Sequence, residues 1–142
     1  MSNQNKDSSK PESKIEISRK SERSTVQAPD YYFEGTVWLE MLTDAPAPAR
    51  VSTAYVTFEP GARTAWHTHP FGQTLIVTDG VGRIQRWDEQ EEEIKAGDAV
   101  WIPPNVKHWH GASVDSSLTH IAIQEKLEGE AADWLEKVGN EA

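Results

Sequence analysis

The chain has 142 residues, 37% of them apolar, a net charge of −9 and no cysteine. That length supports one domain with one sizeable core, and the missing cysteines exclude disulfides and thiolate metal sites. Residues 1–28 hold six Lys and Arg against four Asp and Glu, so the remainder carries −11, a poor match for nucleic acid, whose phosphates need clustered Lys and Arg.

Residues 1–28 are rich in Ser, Lys, Glu and Asn and cannot bury enough surface to offset ordering. They are expected to form a flexible tail, with ISRKSE (17–22) as a candidate edge strand. The start, MSNQNKDSSKPESK, has no apolar run. Neither a signal peptide nor a membrane span is expected, and the expected location is the cytoplasm.

Residues 29–142 read as a single domain. Stretches 32–42 and 50–58 are rich in aromatic and β-branched residues, as strands require. Further strands are expected at 74–78, 81–87, 91–95, 99–102, 107–111 and 117–125. Turn signals separate them at Glu59–Ala62, Asp79-Gly80, Gly97-Asp98 and Pro103-Pro104-Asn105. Many short strands at this spacing predict an all-β sandwich or barrel. Over Glu130–Val138 the pattern changes: Ala131, Trp134, Leu135 and Val138 recur at helical spacing and Gly139-Asn140 supplies a stop. A short C-terminal helix on the barrel exterior is expected there, its stripe serving as core.

All five histidines lie between 67 and 120. Side chains at i and i+2 of a strand share a face, so His67 pairs with His69 and His108 with His110, while Thr68 and Trp109 face away. A lone pair of this kind is ordinarily a hydrogen-bonded or exposed couple. Two pairs among apolar strands can aim up to four imidazoles into one space, and a divalent ion offsets the cost of burying them together.

Residues 61–80 read G-ARTAW-H-T-H-PFG-Q-TLIVTD-G, and residues 97–112 read G-DAVWI-P-P-N-VK-H-WHG-A. These resemble the two motifs of the cupins, with Gln73 at the usual glutamate, Asn105 at the second motif's second glycine and Ala112 at its final asparagine. The resemblance implies a cupin jelly-roll β-barrel holding one divalent metal through His67, His69, Gln73 and His108. Asn105 sits in a turn and tolerates the left-handed region better than most residues. The run from VTFEPG through KHWHGA to ADWLEKV is also similar to the small bacterial cupins that act as manganese-dependent (R)-hydroxynitrile lyases. That similarity implies manganese, with iron, nickel or zinc as other N3O-compatible ions, and a small-molecule pocket lined by Ala54, Val56, Thr64 and Gln124.

Three histidines and a glutamine leave a divalent site at +2, where a glutamate would leave +1. The ion is then a stronger Lewis acid, held less tightly. His110 is not needed as a ligand and is assigned as the general base of a cyanohydrin lyase. His120 is expected to be a core or far-end residue and Trp66 to shape the pocket wall. A metal-dependent oxygenase of quercetinase type and a non-catalytic small-molecule-binding cupin remain the alternatives. Strand edges on a small barrel need cover, so a homo-oligomer, dimer or tetramer, is expected.

Overall fold

The computed structural model describes residues 14–139. Its strands are β1 Val26–Gln27, β2 Phe33–Glu34, β3 Val37–Asp44, β4 Val51–Phe58, β5 Arg63–Thr64, β6 His67–Thr68, β7 Gln73–Arg86, β8 Glu92–Lys95, β9 Ala99–Ile102, β10 His108–Ala112, β11 Leu118–Glu125 and β12 Asp133–Trp134. They curl into an all-antiparallel barrel. One side runs β1-β3-β4-β11-β7, with β9 on the far edge of β7. The other runs from β7 through β10 and β5 to β2, with β8 beside β7 and the β6–β12 pair attached to β10. Among the described residues no helix is long and apolar enough to cross a membrane.

β7 belongs to both sides. Its first residues, Gln73–Ile76, pair with β9 and β11, whereas Gly82–Arg86 pair with β10. The sequence marks Asp79-Gly80 as a turn between two strands, but the chain continues there as one strand that bends between sheets. Gly80 permits this with φ 85°, and a Cβ at that position would collide with the Ser117 carbonyl.

The two-residue period of β4 and β11 builds the interior. Val56 and Phe58 are buried on one, Leu118, His120 and Ala122 on the other, and Tyr55 and Thr57 stand on the opposite face of β4. Phe58 and Leu118 are fully excluded from water, each contributing about 1.5–3 kcal/mol by that burial. A smaller cluster of Trp66, Trp109 and Val138 lies apart from this core. Trp109 is held between the Arg63 and Arg83 guanidinium groups, 5.3 and 5.1 Å from its ring. It therefore faces away from its histidine neighbours, as strand alternation requires.

Two expectations fail at the chain's two ends. ISRKSE forms no strand: Lys20–Glu22 is a short 3-10 turn, and the edge strand lies further on, where Val26 and Gln27 pair with Leu39 and Trp38. Arg23 Nε donates to Glu40 Oε2 at 2.8 Å just before it. The second failure is the C-terminal helix. Asp133 and Trp134 instead pair with Thr68 and His67, Leu135 N–H donates to Trp66 O at 2.8 Å, and Trp66 N–H donates to Glu136 O at 3.0 Å. An isolated nine-residue helix is marginal, while the exposed edge of β6 offers unpaired backbone groups, so the ladder wins. The segment alternates accordingly: Trp134 turns inward, Leu135 is exposed and Val138 is buried against Trp66 and Trp109.

Candidate metal centre

His67 on β6 and His108 on β10 are direct cross-strand partners, and their rings lie 4.2 Å apart. His69 follows two residues after His67, on the same face, 4.9 Å from it ring to ring. A tight turn then reverses the chain: Gly72 has φ 80°, and Asn105 N–H donates to His69 O at 2.9 Å. Asn105 itself is left-handed, φ 63°, where the motif usually has glycine. Gln73 opens β7 immediately afterwards, and all four side chains are buried.

The hydrogen bonds of the histidines decide their chemistry. His67 Nδ1 contacts Ala65 O, His108 Nδ1 contacts Val106 O and His69 Nδ1 contacts Ala131 O, each at 2.9 Å. A carbonyl only accepts, so each Nδ1 carries the proton and each Nε2 keeps a lone pair. Nε2 of His69, Nε2 of His108 and Oε1 of Gln73 are buried without a hydrogen-bond partner. Such orphaned acceptors are costly unless something electropositive meets them. The donor set fits a divalent ion: three neutral imidazoles and an amide oxygen, with the second nitrogen of each imidazole braced from behind. Burial pushes all three imidazoles below their ordinary range, His108 to about 4, and in His67 the neighbouring His108 and His69 add to the effect. They are neutral near pH 7, the form a metal requires.

His110 differs. It shares the face of His108, and ring nitrogens of His67, His108 and His110 lie within 4.8 Å of one another. Its Nδ1 meets no carbonyl but the Nε2 of His120, at 3.2 Å, and its Nε2 is buried and free. Burial, then the nearby His120, lowers its affinity for a proton, and burial brings His120 to about 4 against a backbone hydrogen bond that raises it. His120, expected in the core or at the far end, is thus the partner of His110.

A cavity of about 370 Å³ opens onto this cluster. Ala54, Val56, Thr64 and Gln124 all line it, with His67, His69, Gln73 and His110; His108 does not. Thr64 Oγ1 also accepts the His110 backbone N–H at 3.2 Å. Aromatic walls come from Tyr32, Phe33, Phe58 and Trp134, and Trp134 stacks on His67 at 4.5 Å. Trp66 is not among the walls; its ring packs edge-on against Trp87 at 5.0 Å. Sequence reasoning missed the part played by residues 131–134, because their helical spacing suggested a different use. It also missed Ser52, which is buried on β4 two residues before Ala54 and whose carbonyl and Oγ accept from the cavity residue Gln124 at 3.1 and 2.8 Å.

Residues 54–123 match the cupin domain family. The chain is 54% identical over 127 residues to a curated (R)-mandelonitrile lyase from Granulicella tundricola, covering 89% of this chain and 97% of that one. Among solved structures, a cupin-like protein from Thermotoga maritima superposes with a TM-score of 0.77 at 46% identity, over 81% of this chain and 87% of that one. A predicted oxalate decarboxylase from the same organism gives 0.67 at 21% identity, over 79% and 100%, a likeness of fold alone. The barrel, the two motifs in register and these relatives together show that the chain belongs to the cupin family.

Proposed function

We propose that this protein is a metal-dependent lyase that cleaves and forms cyanohydrins. The observation that carries the reading is a buried donor set at the wall of an aromatic-lined cavity, with one further histidine, His110, held outside the carbonyl-braced pattern. The 54% identical relative named as (R)-mandelonitrile lyase supports it. The ligands are assigned as His67, His69, Gln73 and His108, and the ion as manganese, with iron, nickel or zinc able to use the same donors.

A divalent ion bound there supplies Lewis acidity, strengthened because every assigned ligand is neutral. The chain's own groups do the rest. His110 Nε2 accepts the cyanohydrin's hydroxyl proton. The carbon–carbon bond to the nitrile then breaks, the electron pair leaves with cyanide and the carbonyl of the aldehyde forms. Returning the proton from His110 releases hydrogen cyanide and restores the base. Val56, Phe58 and Trp134 offer apolar surface to the substrate's side group and keep water away. Ile76 and Trp101, 38% and 60% exposed on neighbouring strands, form the surface we assign to a homo-oligomer, dimer or tetramer.

The test is to strip the protein with chelator, reload it with manganese and follow benzaldehyde and cyanide release from mandelonitrile. Metal-dependent release is expected. A fully loaded protein that releases neither, or that consumes oxygen with a catechol or flavonol instead, overturns the reading.

A further inference from the structure

Three residues that face one another across neighbouring strands form a chain of hydrogen bonds ending at the metal centre. Ser52 on β4 is the register partner of Gln124 on β11, and Gln124 is the register partner of Gln73 on β7. Gln124 Nε2 donates to Ser52 O at 3.1 Å and to Ser52 Oγ at 2.8 Å. Gln73 Nε2 donates to Gln124 Oε1 at 2.8 Å. Gln73 Oε1 is buried with no hydrogen-bond partner.

Each step fixes the next. The Ser52 backbone oxygen only accepts, so the end of Gln124 that meets it must be the amide NH2. The oxygen of Gln124 is thereby turned toward Gln73. An oxygen in that position needs a donor, so Gln73 must present its own NH2 there and its oxygen on the other side. From this row we infer that Ser52 and Gln124 are positioning residues that orient the amide of Gln73 and select glutamine over glutamate at position 73. A carboxylate at 73 has no hydrogen to give. It would set oxygen against the Gln124 oxygen at hydrogen-bond distance, and Gln124 cannot turn round without setting that oxygen against the Ser52 carbonyl. The departure of this chain from the usual glutamate is therefore built into two strands that carry no assigned ligand of their own.

The inference rests on the metal-centre reading above, and the test separates the two. The manganese affinity of the metal-free protein is measured by chelator competition for the wild type, Gln124→Leu, Gln73→Glu and the double variant. In the wild-type background, Gln124→Leu frees the amide to turn its NH2 toward the ion and weakens binding by about tenfold or more, the usual effect of removing such a partner. In the Gln73→Glu background, the same substitution removes an opposing oxygen and tightens binding. The opposite signs are the expected result, because a merely structural role for Gln124 would weaken both. Shifts in the same direction, with manganese bound by the wild type, leave the centre standing and overturn the relay. Failure of the wild type to bind any divalent ion removes the centre, and the relay with it. Gln124→Met, similar in length but without the amide, takes the place of Gln124→Leu if that variant does not fold.

Discussion

His110 and His108 sit two residues apart on one strand, yet what holds their Nδ1 atoms gives them different work. A carbonyl behind His108 fixes its proton, whereas His120 behind His110 is a group that can itself give or take one. His110→Ala should lower lyase turnover by about a hundredfold or more, the scale of a lost general base, while manganese content stays near wild type. Unchanged turnover in that variant, with metal bound, would remove His110 from the mechanism. Gln73→Glu should retain metal and slow turnover, since a carboxylate takes the centre from +2 to +1; faster turnover would contradict the charge argument. The histidine pairs were legible because i and i+2 must share a face of a strand. The partnership of His120 was not, since β11 meets β10 only through the curvature of the barrel and no local spacing records it.

At the scale of elements, β7 and the C-terminal segment depart most from the pattern that local residues suggest. Asp79-Gly80 has turn chemistry, and the glycine is needed, but for a bend within a strand crossing two sheets. Gly80→Ala must place a side chain at φ 85° and against the Ser117 backbone. It should cost more than about 1 kcal/mol, read as a lower urea midpoint of the metal-free protein. The C-terminal residues have helical spacing, yet Ala131 supplies the carbonyl behind His69 and Trp134 the surface over His67. Trp134→Ala should enlarge the cavity and raise KM for an aromatic cyanohydrin more than it lowers kcat, because it removes apolar surface and no reacting group. A fall in kcat alone would place the indole in the chemistry. The seven longer strands were legible from β-branched and aromatic runs and turn residues, β7 as two pieces. The two-residue strands were not, since they are set by partners distant in sequence.

Across the whole molecule, the cost of burying neutral imidazoles appears as a dependence on pH. His108 and His120 titrate near 4 in the folded chain and near 6.5 when unfolded. Between those values the unfolded chain binds more protons than the folded one. Their contribution to stability is therefore complete above about pH 6.5 and is lost as pH falls toward 4. The metal-free protein should show a urea midpoint that drops steadily between pH 7 and pH 5. A flat midpoint across that range would mean that these rings are not buried in the neutral form.

The carbonyl of Ala131 and the indole of Trp134 come more than sixty residues after the histidines they support. A ribosome delivers the histidines first. During synthesis His67 and His69 emerge without the backbone group that sets the ring of His69 or the strand that seals the edge beside His67. The final geometry of the histidine cluster thus waits on the docking of residues 131–134, whatever order the rest of the barrel folds in.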